Sequence, residues 1–104
     1  VMVHKGIDVR APHGAMVQSV FGGTVRFAGR LDGYGDLVVV DHGSQWHSVY
    51  GHLSGLRVRV GQKIKRKKIL GSVSDLDSSK GSYLYFELRN NKRAVDPLDW
   101  MSPG

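Results

Sequence analysis

Apolar and polar residues alternate along much of this chain, in short runs separated by glycine-containing turns. A two-residue period is typical of a half-buried β-strand, and no segment keeps the period of a helix. The runs that predict strands are residues 17–20, 24–28, 37–41, 46–50, 56–61, 70–73 and 83–89. Many short strands at close spacing predict an all-β fold, a compact antiparallel β-sheet or sandwich.

The central part of the chain predicts a hairpin. Residues 37–41 form a continuous run rich in valine, which is typical of a strand that is buried on both faces. A turn at 42–44 leads to a return strand at 46–50, where Trp46 and Tyr50 lie on one side and His47 and Val49 on the other.

Residues 83–89 also alternate. The side chains on one face of the predicted strand are Leu84, Phe86 and Leu88, and those on the other are Tyr83, Tyr85, Glu87 and Arg89. If the first face belongs to the core, the second is expected to line an open surface or groove.

Length and composition limit the possibilities further. With 104 residues, the chain is expected to form one domain over 1–104. It begins in the middle of an apolar run, so we expect it to be the C-terminal part of a longer protein. No apolar run is long enough to span a bilayer, and the absence of cysteine excludes disulfides and thiolate metal sites.

The net charge of +6 favours an anionic partner. The densest group of charges is a run of five cations at 63–68, which could contact phospholipid, an anionic wall polymer or nucleic acid. A solvated face is the default interpretation of such a run. No aromatic residue interrupts it, so it lacks the stacking surface that single-stranded nucleic acid needs, and we expect no nucleic-acid partner.

Several short motifs occur in a fixed order along the chain. They are His4-Lys5-Gly6-Ile7-Asp8, Gly33-Tyr34-Gly35, Tyr50-Gly51-His52-Leu53-Ser54, Val60-Gly61, Phe86-Glu87-Leu88-Arg89 and Asp96-Pro97. In this order they resemble the M23 peptidase (LytM-type) domain over essentially the whole chain. The resemblance implies a compact antiparallel β-sheet domain with a groove across the sheet. A lipoyl or biotinyl carrier domain fits less well, because no carrier lysine motif occurs.

The resemblance also assigns site positions. His4 and Asp8 match two zinc ligands of active members, and Tyr85 stands where the third ligand, a histidine, is expected. His52 matches one catalytic histidine, and Tyr83 stands in place of the other.

Two tyrosines at these positions should remove the chemistry. A catalytic zinc usually has three protein ligands, and a phenol with a pKa of about 10 is a poor replacement for imidazole. Without a firmly held zinc, no hydroxide nucleophile forms near neutral pH. We therefore expect no catalytic residues and no cofactor, with His4 and Asp8 left as a hydrogen-bonded pair. Weak metal binding by that pair is the alternative.

The C-terminal stretch contains Leu84-Tyr85-Phe86-Glu87, followed by Arg89, and ends with Pro97-Leu98-Asp99-Trp100. Among degenerate LytM domains, these segments most resemble those of the murein hydrolase activators. This resemblance implies an extracytoplasmic protein of the bacterial envelope that activates a cell-wall amidase during cell division. The residues expected to bind the partner are Lys5, Asp8, Tyr34, His52, Tyr83, Tyr85 and Arg89. Exposed aromatic and arginine side chains favour such binding, although the tyrosines could simply fill space. The alternatives are a peptidoglycan-binding module without an amidase client and a residual zinc peptidase.

Overall fold

The fold was analysed in a computed structural model that describes residues 6–74 and 81–90 and the backbone of 93–95. The strands in these residues are β1 (Ile7–Arg10), β2 (Met16–Gln18), β3 (Gly23–Leu31), β4 (Gly35–Gly43), β5 (Trp46–Ser54), β6 (Lys63–Ile64), β7 (Ile69–Val73), β8 (Tyr83–Asn90) and β9 (Arg93–Val95). The described residues contain no helix, and none of their segments is a helix long and apolar enough to cross a membrane.

The strands form one antiparallel sheet. Its main path runs β1-β8-β5-β4-β3-β6, while β2 pairs with β7, β7 also pairs with β5, and β9 pairs with β8. The prediction of an all-β antiparallel fold is therefore confirmed. The predicted central hairpin is the β4–β5 pair, in which Val39 lies opposite Val49 and Val40 opposite Ser48.

The main core lies on one face of the sheet. It contains Val25, Val38, Val40, Tyr50, Leu70, Val73 and Leu88, each 1% exposed or less. Side chains from β3, β4, β5, β7 and β8 meet here because alternate residues of each strand point to the same face. The predicted strands at 24–28, 37–41 and 70–73 therefore supply this core.

A second, smaller core covers part of the opposite face. It consists of Tyr34, Leu37, Val49 and Tyr85, with Phe27, Val39 and Tyr83 packed against it. The alternation expected in β8 is confirmed. The expectation that its second face is open is wrong at Tyr85 and Glu87, which are 3% and 2% exposed. Apolar residues of β4 and β5 project to this face and exclude water from it.

Some elements differ from the sequence prediction. β5 continues to Ser54, four residues beyond the predicted end, and the short strands β1, β6 and β9 were not predicted. The prediction of a strand at 56–61 is wrong, because this run is not part of the sheet, although Leu56 and Val58 pack on the main core. The sequence also predicts turns at 90–92 and 96–100 and a loop at 74–82, of which residues 91–92, 96–100 and 75–80 lie outside the described residues.

The main core predicts the effect of truncating a buried side chain. Leu70 is fully buried, so Leu70→Ala should lower the free energy of unfolding by about 3 kcal/mol through lost burial and the cavity left behind. Val60→Ala, at a position that is 61% exposed, is the control and should change it by less than about 0.5 kcal/mol. Urea denaturation measures both, and equal effects would contradict this placement of the core.

Candidate functional site

The candidate site begins with three residues aligned across neighbouring strands. Asp8 on β1 lies opposite Tyr85 on β8, and Tyr85 lies opposite Gly51 on β5. Directly opposed residues of antiparallel strands project to the same face, so the Asp8 and Tyr85 side chains are neighbours. A Cβ atom at Gly51 would lie 3.3 Å from Cβ of Tyr85, so glycine leaves room for the tyrosine.

The Tyr85 hydroxyl is engaged in two hydrogen bonds. It accepts one from the backbone N–H of Gly6 at 3.1 Å and donates one to Oε2 of Glu87 at 2.5 Å. Gly6 also packs against the ring, since a Cβ atom there would lie 2.9 Å from Cζ of Tyr85. The backbone that enters β1 is thereby fastened to the centre of β8.

The second oxygen of Glu87 is held by Arg89. Nε of Arg89 donates a hydrogen bond to Oε1 of Glu87, and the two side chains form an ion pair. The Glu87 side chain is 3% exposed and that of Arg89 is 41% exposed. A buried carboxylate is costly unless it is paired and hydrogen-bonded, and here Tyr85 and Arg89 satisfy one oxygen each.

These contacts keep the Tyr85 phenol protonated. Burial raises the pKa of Tyr85 far above its usual range, and the hydrogen bond to Glu87 and the negative charge of that residue raise it further. The Gly6 N–H opposes this shift but does not outweigh it. Burial, followed by the charge of Glu87, also raises the pKa of Tyr34.

His52 and Tyr83 form a stacked pair beside Tyr85. Their ring centroids are 4.2 Å apart and the planes differ by 8°. Nδ1 of His52 is 2.8 Å from the carbonyl oxygen of Tyr83 and must donate, because a carbonyl can only accept. His52 has a φ of 61°, a left-handed conformation that is uncommon for a residue with a side chain.

Two backbone contacts hold His52 in this conformation. Its N–H donates to the Tyr34 carbonyl at 2.6 Å, and its carbonyl accepts from the Ser74 N–H at 3.0 Å. Tyr34 lies in the turn between β3 and β4, where Gly33 and Gly35 both have positive φ. Its ring packs against Tyr85 with centroids 5.3 Å apart.

Tyr34 lies between two hollows on this face of the sheet. One, of about 260 Å³, is lined among others by Tyr34, His52, Ser74 and Tyr83. The other, of about 330 Å³, is mainly apolar. It is lined by Leu31, Tyr34, Leu37, Val39, His47, Val49, Glu87, Arg89 and Asn90. Together the hollows form the groove that the sequence resemblance predicts.

The structure places five of the seven predicted binding residues together. Tyr34, His52 and Tyr83 line one hollow of the groove, and Arg89 lines the other. Tyr85 packs against Tyr34, and Asp8 lies opposite Tyr85 on β1. His4 and Lys5 fall outside the described residues. The expectation that Tyr85 is exposed is wrong, because the residue is buried, and its role in binding a partner stays a prediction. The interpretation of Tyr85 as a space-filling residue agrees with its burial.

Three contributors to the site were missed from the sequence. The Gly6 N–H, the buried Glu87 carboxylate and the close contact at Gly51 all hold Tyr85. The alternation of β8 placed Glu87 beside Tyr85, and that signal could have suggested the hydrogen bond. The contacts of Gly6 and Gly51 depend on strand register.

The donor atoms of the site fit a metal ion poorly. Within residues 6–74 and 81–90, no group of three His, Cys, Asp or Glu side chains is placed to hold one. The Tyr85 oxygen fits poorly as a ligand, because its proton is held by Glu87 and its pKa is raised. Loss of that proton would also place a second negative charge against a buried carboxylate.

The match to a family model then decides the family. The model described as peptidase family M23 matches residues 2–97. The chain belongs to peptidase family M23. This M23 domain is also 37% identical over 100 residues to the lipoprotein NlpD/LppB homolog of Pseudomonas aeruginosa, covering 95% of the chain and 33% of that relative.

Solved structures agree with the M23 fold. The catalytic domain of the prophage-encoded M23 protein EnpA from Enterococcus faecalis, as an A109H mutant, matches with a TM-score of 0.80 and 31% identity. That match covers 93% of this chain and 78% of the EnpA chain. A chain of the SpoIIIAH and SpoIIQ complex matches with a TM-score of 0.83 and 29% identity, covering 96% and 73%.

The M23 domain is short beside its curated relatives. It spans 33%, 23% and 40% of the lengths of three of them. Family membership and fold therefore follow for the domain. Activity and partners have to be argued from its own residues.

The Tyr85–Glu87 hydrogen bond can be measured with a double-mutant cycle. Tyr85→Phe should lower the free energy of unfolding by about 1 to 3 kcal/mol, because it leaves a buried carboxylate oxygen and the Gly6 N–H without this partner. The double variant Tyr85→Phe, Glu87→Gln should change the free energy of unfolding by an amount that differs by about 1 kcal/mol from the sum of the two single changes.

Tyr50→Phe serves as the control in the same cycle. Its hydroxyl contacts Ser48 and Val20 on the main-core side of the sheet, so it should be additive with Glu87→Gln. Urea denaturation supplies all the values. Additivity of Tyr85→Phe with Glu87→Gln would show that the two side chains are not coupled.

Alkaline pH gives a separate prediction. A raised pKa means that the folded protein holds the Tyr85 proton more tightly than the unfolded chain does. The corresponding stabilisation is therefore complete below about pH 10, the unfolded value, and is lost as the pH rises towards the folded value. From about pH 9 upward, the free energy of unfolding should fall less steeply with pH for Tyr85→Phe than for the unchanged protein. Urea denaturation at a series of pH values measures this. Parallel curves would contradict the assignment.

Proposed function

We propose that this M23 domain is a non-catalytic regulator that binds and activates a peptidoglycan amidase in the bacterial envelope. The observation that carries the proposal is the state of Tyr85. At the position of the third zinc ligand, its oxygen is buried, protonated and bonded to Glu87 and Gly6. A side chain held in this way is suited to support a surface rather than to bind a catalytic ion.

Tyr83 also favours a non-catalytic role. Tyr83 stands at the position of a catalytic histidine and stacks on His52, whose Nδ1 hydrogen is given to a backbone carbonyl. A phenol has an ordinary pKa of about 10, too high for proton transfer near neutral pH. Both substitutions therefore act against hydrolysis in a domain that keeps the family's fold.

The groove has the composition of a protein-binding surface. Tyr83 is half-buried, Arg89 is partly exposed and Asp8 is exposed, so aromatic, positive and negative groups are available along it. Aromatic and arginine side chains at a pocket are enriched among residues that dominate binding energy. Tyr34 and Tyr85 support this surface from below. The match to a chain of a solved two-protein complex is consistent with such use of the fold.

The similar proteins support a location in the bacterial envelope, but they do not identify the partner. A relative named as a lipoprotein favours an extracytoplasmic site in the envelope. The resemblance of the C-terminal stretch to the murein hydrolase activator EnvC adds the amidase and the link to cell division, and both stay predictions.

Purified amidase tests the proposal directly. Pull-down and dye release from labelled peptidoglycan should show binding and stimulation by the unchanged domain. Tyr83→Ala combined with Asp8→Lys should weaken the dissociation constant by about 30-fold or more, since loss of one central aromatic side chain costs about 2 kcal/mol. Neither change removes a fully buried group, so the domain should stay folded.

Phe21→Ala is the matched control. Phe21 is 38% exposed and packs against His42, away from the groove, so its removal should leave stimulation unchanged. Absence of binding and stimulation by the unchanged domain would refute the amidase proposal. Sedimentation with sacculi in that case would favour the peptidoglycan-binding module.

Metal analysis together with a peptide-cleavage assay tests whether the domain is catalytically inactive. The unchanged domain, purified in the presence of zinc, should contain much less than one equivalent and cleave no stem or glycine-rich peptide. Tyr83→His combined with Tyr85→His should increase zinc binding, because it restores imidazole at both positions. Stoichiometric zinc together with cleavage by the unchanged domain would establish a residual peptidase instead.

A further inference from the structure

A second charged surface lies away from the groove. Seven cations occupy 57–68, and no acidic residue occurs from 55 through 74. All seven are exposed, and they are Arg57, Arg59, Lys63, Lys65, Arg66, Lys67 and Lys68. We call this set the basic edge. It contains nearly half of the chain's 15 lysine and arginine residues.

The first half of the basic edge is a well-anchored turn. The Gly61 N–H donates to the Val25 carbonyl at 2.8 Å, and the Val25 N–H donates to the Gln62 carbonyl at 2.9 Å. Within the turn, the Gln62 N–H donates to the Arg59 carbonyl, and the Gln62 side chain accepts from the Arg59 N–H. These bonds fix the turn against β3.

The second half is anchored in the same manner. The Lys67 N–H donates to the Ser19 carbonyl and the Ser19 N–H donates to the Lys68 carbonyl, both at 2.9 Å. The Lys68 N–H closes a turn onto the Lys65 carbonyl at 3.1 Å. Both turns therefore hold their cations on a fixed backbone, which lowers the entropy cost of binding a charged surface.

An apolar side chain protrudes from the same edge. Leu56 and Val58 pack on the main core, but Val60, next in the alternation, is 61% exposed. It is the most exposed of the large apolar side chains in the described residues and has Arg59 and Lys63 nearby in the chain. An apolar tip among cations is suited to the boundary between lipid headgroups and acyl chains.

Protection of a sheet edge does not explain this arrangement. Lysine on an edge strand commonly prevents pairing with another chain. Here the edge strand β6 has only two residues, Lys63 and Ile64, so six of the seven cations lie in the flanking segments. Edge protection therefore does not account for the cations outside β6, and we infer that they have another role.

We propose that the basic edge docks this domain on an anionic lipid bilayer. Its lysine and arginine side chains would contact lipid phosphates while Val60 enters the interface. None of the seven cations lines either hollow of the groove, so docking at this edge would leave the groove accessible. The inference does not depend on the identity of the groove's partner.

The observations favour a bilayer over other polyanions. A polysaccharide or nucleic acid would gain little from an exposed valine, whereas a bilayer accepts it. Residues 55–74 also include no aromatic side chain on which a base or sugar could stack. Each cation near an anionic membrane contributes enough attraction to change partitioning by about fivefold.

Co-sedimentation with vesicles tests the proposal. The unchanged chain should bind vesicles that contain phosphatidylglycerol, should bind phosphatidylcholine vesicles much more weakly, and should dissociate as salt is raised to about 1 M. Lys65→Gln with Arg66→Gln should lower the partition coefficient by about 30-fold. Val60→Ser should lower it by about fivefold through lost apolar burial.

A charge-matched variant controls for net charge. Arg10→Gln with Arg30→Gln removes two exposed cations from other parts of the fold, so the partition coefficient should change by less than about threefold. All these positions are exposed, and denaturation curves should confirm that each variant stays folded. Failure of the unchanged chain to bind anionic vesicles would overturn the proposal. Equal losses in both double variants, or binding to sacculi alone, would overturn it too.

Discussion

The candidate site depends on a single buried carboxylate. Glu87 is enclosed by the second core, and its two oxygens are bonded to Tyr85 and Arg89. The same Tyr85 hydroxyl accepts the N–H of Gly6 and so fastens the entry of β1 to β8. Removal of one member would leave a buried polar group without that partner, which is why the three side chains act as a unit.

Under the proposed function, the tyrosine at position 85 would connect the loss of a metal ligand with the gain of a packed surface. A tyrosine is larger than a histidine, and here its ring fills the space beside Tyr34 and Gly51. Burial and the hydrogen bond to Glu87 raise the pKa of the phenol and keep it protonated, which acts against metal binding. The groove above it is then lined by supported aromatic side chains, and this rigidity is what a binding surface needs.

The distribution of charge gives the domain two separate surfaces. The groove contains an ion pair, in which Glu87 is held by Arg89, and Asp41 on β4 is paired with Arg26 in the same manner. The basic edge carries seven cations with no acidic neighbour in its own segment. Paired charges have little long-range field, whereas a cluster of one sign attracts an extended anionic surface. The net charge of the chain thus arises largely at one edge.

The sequence by itself determined the fold class and the family. Alternation in β4, β5 and β8 is a local property of the chain, and so is the order of the short motifs. Only the tertiary structure decided that Tyr85 and Glu87 are buried, because Leu37, Val49 and Tyr34 reach them from other strands. Strand register, which local pattern does not fix, brought Gly6 to the Tyr85 hydroxyl and separated the basic edge from the groove.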